Sequence, residues 1–172
     1  MKRPDSLASP LSGVPRKRGG GEPRVSAAGA IGSRGLRAQR FAHGADVGVR
    51  GIGPSREAAF EQAAVALTSI LTEPAQVRLE KVVCVECEAP EDGLLLVDWL
   101  NALIYRMATK KMLFGRFAVM IDGHRLKGQA WGERVDRERH RPAVEPKGAT
   151  YTALKVAPNK AGRWVAQCVV DV

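Results

Sequence analysis

Apolar spacing divides the chain into stretches of period two and stretches of helical period. Val47, Val49 and Gly51 alternate with Gly48, Arg50 and Ile52, which predicts a short strand broken by Gly53-Pro54-Ser55. Ser55 can cap a helix running to about Thr72. Its apolar residues Ala59, Phe60, Ala63, Ala64, Leu67, Ile70 and Leu71 follow the helical period, so one face is expected to be buried. Glu73-Pro74 ends that helix, and residues 77–88 alternate again as a strand. Glu91 and Asp92 suit the positive end of a second helix, along which Leu95, Trp99, Leu103 and Met107 form an i, i+4 ridge. The helix is expected to end near Thr109, where Lys110 and Lys111 complement its dipole. Residues 113–121 and 125–132 read as strands joined by a turn at Asp122-Gly123, and 135–142 as a polar, Arg-rich loop. Strands at about 150–156 and 163–171 flank a 158–162 turn. The order strand, helix, strand, helix and then four strands predicts an α+β domain of two layers, with two helices packed on a mostly antiparallel sheet.

Charge restricts this domain to part of the chain. Of the formal net charge of +9 on 172 residues, seven units lie in residues 1–40, which hold nine Lys/Arg against two acids. That stretch contains Gly19-Gly20-Gly21, no aromatic residue and no sustained apolar period. It has too little to bury to offset its ordering entropy and is expected to be a disordered basic tail, leaving 41–172 as the domain. Its Arg and Ser content also admits a transit peptide, although Gly and Pro work against the amphipathic helix such peptides form. The high isoelectric point therefore belongs mainly to the tail and does not by itself make the domain a nucleic-acid binder. Three cysteines make no disulfide framework and no signal-peptide pattern is present, so the expected compartment is the cytoplasm. Residues 94–104 are too short for a membrane span and are interrupted by Asp98 and Asn101.

Candidate chemistry concentrates at the two ends of the predicted domain. Asp46 stands where irregular chain enters a strand, and the chain ends on Asp171-Val172. Were these ends to meet, converging carboxylates would repel one another unless a cation compensated them, which points to a hard metal or a cationic partner. In the last strand Val165, Gln167, Val169 and Asp171 share one face, and Trp164, Ala166, Cys168 and Val170 the other, which is uniformly apolar. By position alone, Asp171 also reads as a solvated chain end. His43 is either a structural, hydrogen-bonded residue, a further ligand, or a proton carrier near Asp46. Cys84 and Cys87 have C-x-x-C spacing, but on a strand they point to opposite faces and no second pair follows, which argues against zinc. The chain has no Gly-rich phosphate loop, no G-x-S-x-G and no H-E-x-x-H.

Phe41 to Arg50, F-A-H-G-A-D-V-G-V-R, resembles the H-T-A-D-(I/V)-G-(I/V) opening of the archease family. The resemblance continues through V-D-W-L-N-A-L-I-Y from Val97, I-D-G from Ile121, K-G-A-T-Y from Lys147 and W-V-A-Q-C-V-V-D-V from Trp164. It implies a divalent-metal site, with calcium in the family, held by Asp46, Asp171 and, through main-chain oxygen that includes the terminal carboxylate, Val172. Oxygen ligation suits Ca²⁺, Mg²⁺ or Mn²⁺ better than zinc. Glu145 and Lys147 match the family's E-x-K-(A/G)-x-T segment. Lys147 is then either an ordinary surface lysine or a contact for a phosphate, a partner carboxylate or RNA. The sequence departs from the family pattern at Gly44, where the motif has Thr, and at Thr152, where many members have His, so a catalytic chain through that His is not supported.

The resemblance further implies a non-catalytic activator of an RtcB-type RNA-splicing ligase. Such a protein promotes guanylylation of the ligase and its multiple turnover in tRNA splicing and RNA repair, with at most weak or indirect RNA contact. The sequence also admits two other readings, of which the first uses the same Asp cluster. A metal-dependent phosphohydrolase would turn over phosphoesters alone, and an RNA-binding or chaperone module for a tRNA-modification enzyme would rely on the tail and on the Arg134 to Arg141 loop.

Overall fold

The computed structural model describes residues 35–172, so the expectation of a disordered tail falls, for 1–34, outside the described residues. The remainder of that stretch begins the fold. Strand β1 (Arg37–His43) forms a hairpin with β2 (Asp46–Gly53), with Gly44 at a φ of +62° in the two-residue loop. Residues 37–40, assigned by composition to the tail, are thus the first half of a strand. Arg37, Ala38 and Arg40 are exposed on an edge strand, where charge is tolerated and apolar alternation is not required.

The domain is α+β, as the element order predicts, and all its strand pairings are antiparallel. The strands divide between two sheets instead of forming one. In the first, β2 lies between β1 and β8 (Trp164–Asp171), whose other edge takes two short strands, β6 (Gly148–Ala149) and β7 (Lys155–Pro158). These two short strands replace the single strand expected at 150–156. In the second sheet, β5 (Arg125–Arg134) lies between β3 (Lys81–Glu88) and β4 (Met112–Asp122). Strand β3 starts later than the alternation from Val77 suggests, because Pro74–Gln76 form a 3-10 turn and 77–80 stay irregular.

Helix α1 (Arg56–Leu71) packs against strands of both sheets, which explains why its burial exceeds one face. Ser55 Oγ accepts the Ala58 N–H at 3.1 Å and sets its start. On one side, its alanines lie so close to β2 that a Cβ at Gly51 would overlap the Ala59 carbonyl and the Ala63 nitrogen. On the other, Thr68 Oγ1 donates to the Phe114 carbonyl of β4 at 2.7 Å. Helix α2 (Asp92–Lys110) carries the predicted ridge, and Leu95, Trp99, Leu103 and Met107 are all buried. Trp99 lies over Gly128 and meets Phe117 edge-on, with ring centres 6.3 Å apart. The loop expected at 135–142 contains one further short helix, α3 (Arg137–His140). No described helix is long and apolar enough to cross a membrane.

Candidate functional site

The packing of α1 fixes which way Asp46 points. Gly51 and Gly53 of β2 face α1, so the alternate positions Asp46, Gly48, Arg50 and Ile52 project from the opposite side of the sheet. His43 is paired directly with Asp46 across the β1–β2 hairpin. The β2–β8 ladder runs to Val47 opposite Val170. One step further, Asp46 and Asp171 occupy facing register positions, and Asp171 is in turn paired with Gly148 of β6. Facing residues of an antiparallel pair share a side of the sheet, so His43, Asp46 and Asp171 form a row across the end of three strands. Asp46 is half-buried, and Asp171 and His43 are exposed.

Lys147 closes this row from the β6 side. Its backbone N–H donates to the Asp171 carbonyl at 2.8 Å, extending the β6–β8 ladder, and its Nζ donates to the Val172 carbonyl oxygen at 2.9 Å. The sheet therefore brings Asp46, Asp171, Val172, Lys147 and His43 to one edge. Glu145 goes elsewhere. Pro146 separates it from Lys147, and it is exposed beside α2, lining a depression with Asn101, Ile104 and Tyr105. Behind the acidic row, Phe41 covers Gly48, and the Arg50 guanidinium lies 5.0 Å from the Phe41 ring centre. Arg50 Nε donates to Gln167 Oε1 at 2.7 Å, which places a fixed cation on the same face. The sequence reading did not single out this supporting layer, although the alternation that puts Asp46 on the face also puts Arg50 there.

Among the described residues no three His, Cys, Asp or Glu side chains are grouped to hold a metal. A cation at this edge would rest on two carboxylates, the Val172 oxygen and water. That donor set fits Ca²⁺ or Mg²⁺, which take oxygen ligands and retain water, and does not fit a closed zinc site. The Val172 oxygen already accepts the Lys147 ammonium, but a carbonyl has a second lone pair to offer. Two of the three cysteines are held as thiols. Burial, with Asp98 adding to it, pushes the Cys87 thiol up to about 11, and burial alone pushes Cys168 to about 12.

A second polar cluster, which sequence reasoning missed, lies in the loop after β5. Glu133 is buried and accepts both Arg139 guanidinium nitrogens, the Arg78 N–H at 2.6 Å and His140 Nε2 at 3.1 Å. His140 Nδ1 accepts the Asp136 N–H at 2.9 Å, which leaves the ring proton on Nε2 to donate to Glu133. The Arg139 hydrogen bonds, ahead of those from Arg78 and His140, outweigh burial and lower the Glu133 carboxyl to about 2. The Arg-rich loop is consequently not a row of free cations, because Arg139 is committed inward.

Comparison with known proteins bears on the site's identity. Residues 39–172 match the Archease protein family, from within β1 through the end of β8. The chain belongs to the archease family. It is 36% identical to protein archease of Pyrococcus abyssi over 138 residues, covering 78% of this chain and 97% of that protein. Protein archease of Thermococcus gammatolerans is 37% identical over 140 residues, with the same two coverages. Among solved structures, the solution structure of Methanobacterium thermoautotrophicum protein 1598 superposes with a TM-score of 0.69 at 29% identity, covering 78% of this chain and 98% of that one. The matched residues 39–172 include strands of both sheets and both Asp46 and Asp171.

Proposed function

We propose that this archease-family chain is a protein activator of an RtcB-type RNA-splicing ligase, without catalytic turnover of its own. On this reading it presents an oxygen-lined cation site, formed by Asp46, Asp171 and the Val172 carbonyl, to the ligase. The observation that supports it is the register of the first sheet, which assembles two carboxylates, a main-chain oxygen, one lysine and His43 at an exposed edge. A bound divalent ion would supply charge neutralisation toward phosphate oxygens. The protein's own part is to hold the two carboxylates at facing positions, to fix the end of β8 through Lys147 and to offer His43, beside Asp46, as a hydrogen-bonding group. Delivering such a site to a ligase whose nucleotide is being loaded would favour guanylylation of the ligase and hence repeated turnover.

The experiment is multiple-turnover RNA ligation and ligase guanylylation, with and without the protein, for wild type, Asp46→Ala and Asp171→Ala, each variant first shown to fold. Wild type is expected to stimulate and both variants to fail. Stimulation that survives both substitutions would remove the acidic edge from the mechanism. Phosphoester turnover by the protein alone would make it an enzyme instead.

A further inference from the structure

One depression among the described residues lies away from Asp46 and Asp171. It has a volume of about 800 Å³ and opens between the C-terminal half of α2 and the segment that follows β5. Its floor is apolar and includes Leu71, Ile104, Met107 and Met112. Its rim is cationic. Lys111, Arg137 and Arg141 line it and are exposed, none of them takes part in an ion pair among the described residues, and Glu145 is its one carboxylate. A smaller depression shares Ile104, Ala108, Glu145 and Pro146 with it and continues past the exposed Tyr105 to Lys147. Together they form one groove along α2 from Lys111 to Asn101. Ten helical steps make it about 15 Å long, enough for roughly four or five residues of extended peptide.

The rim is held rigid, which makes the groove preformed. The Val135 N–H donates to the Lys111 carbonyl at 2.8 Å, Thr72 Oγ1 to the His140 carbonyl at 2.8 Å and the Ala143 N–H to the Leu71 carbonyl at 3.2 Å. The buried Glu133 and His140, bonded to the part-buried Arg139, anchor α3, from whose two ends Arg137 and Arg141 reach the rim. Lys111 and Arg141 also hold left-handed backbone, at φ values of +50° and +43°, in C-cap positions that glycine would fill with less strain.

We infer that this groove docks an extended segment of a partner protein in which carboxylates alternate with apolar side chains. Charge complementarity selects that occupant. Arginine forks match carboxylates, and the methionine-bearing floor adapts to varied apolar side chains. The larger depression carries no aromatic ring, so along the whole groove only Tyr105, in the smaller one, could stack on a nucleobase. Residues 1–34 of this chain hold seven Lys/Arg against two acids and lack the alternating acidic pattern that such a rim selects.

The test is a methyl-NMR titration of the full chain with the peptide Ac-Glu-Leu-Glu-Leu-Glu-Leu-amide, its Lys-for-Glu counterpart and a short oligouridylate. The acidic peptide is expected to shift the Ile104, Met107 and Met112 methyls. Its affinity should fall about tenfold or more in R137E/R141E, and in Lys111→Glu separately, while the Lys peptide leaves the spectrum unchanged. No shift at these methyls, binding insensitive to both variants, or displacement of the peptide by oligouridylate would overturn the inference, the last by making the groove a nucleic-acid site. A ligase assay separates this outcome from the activator reading. R137E/R141E should raise the concentration giving half-maximal stimulation and leave the plateau intact, whereas the Asp46 and Asp171 variants should lower the plateau. Absence of stimulation by wild type would count against the activator reading alone, since the peptide titration does not use the ligase.

Discussion

Two groups of ionisable side chains in this domain differ in nearly every physical respect. Asp46 and Asp171 stand at the open end of a sheet, with water and one lysine for company. Glu133 is buried and satisfied by two arginine nitrogens, a backbone N–H and a histidine. The first group keeps capacity to spare, which is what cation binding or partner contact requires. The second has spent its capacity on the protein and shapes a loop. A carboxylate held as low as that of Glu133 can thus serve the fold, and perturbation by itself does not identify a functional site.

The sharpest way to break the contrast is to remove Glu133. Removing the buried carboxylate leaves the Arg78 N–H, His140 Nε2 and the part-exposed Arg139 guanidinium without their acceptor, so Glu133→Ala should lower unfolding free energy by about 3 kcal/mol in denaturant titration. Asp46→Ala and Asp171→Ala, at an exposed sheet end, should each change it by no more than about 0.5 kcal/mol. Comparable losses at the two sites would mean that the acidic edge is structural after all.

Acid provides a second, graded test of the same group. The folded Glu133 carboxyl lies at about 2, below its ordinary 4.5. The folded state therefore binds fewer protons than the unfolded chain between these values, and stability falls as pH falls. The Glu133 contribution is fully present above 4.5 and lost progressively down to about 2. Denaturant midpoints measured across that window should drop more steeply in wild type than in Glu133→Gln. Parallel profiles would show that other carboxylates carry the acid sensitivity.

How much of each region could be read from the sequence follows from the same contrast. Asp46 and Asp171 were legible because period two along β2 and β8 assigns each residue a face, and because the opening and closing motifs place both acids at strand ends. What the sequence did not reveal was the pairing of β8 with β2, which is a long-range choice, or Lys147 gripping both Asp171 and Val172. Glu133 was illegible for a different reason. Its partners Arg139 and His140 lie in a segment that reads as solvated loop, and His140 is buried and Arg139 turned inward only because α3 folds back toward Leu71 and Thr72. Strand β1 escaped because an exposed edge strand of Arg, Ala and Gln has no apolar alternation to find. The division into two sheets was hidden in the glycines of β2, whose role depends on how closely α1 approaches.

Added cation should distinguish the two regions by a smaller margin. Calcium at about a hundred times its dissociation constant would stabilise a folded state that alone binds it by about 2.7 kcal/mol. That gain should disappear in the Asp46→Asn/Asp171→Asn double variant and persist in Glu133→Gln. Thermal unfolding with and without calcium measures it. A calcium effect that survives in the double variant would place the ion elsewhere.

The smallest expected effect falls on Lys147, and it bears most directly on how the acidic edge works. Its ammonium donates to the Val172 oxygen and is an exposed positive charge beside two carboxylates. Lys147→Met removes that charge while the backbone N–H still donates to the Asp171 carbonyl, so stability should shift by no more than about 0.5 kcal/mol. Calcium affinity, read by calorimetry, should rise, because an incoming cation no longer meets a resident one and finds both lone pairs of the Val172 oxygen open. If affinity falls instead, the lysine aids cation binding by fixing the end of β8, and its hydrogen bond outweighs its charge. An unchanged affinity would place the bound cation out of reach of Val172 and leave Asp46 and Asp171 to hold it with water.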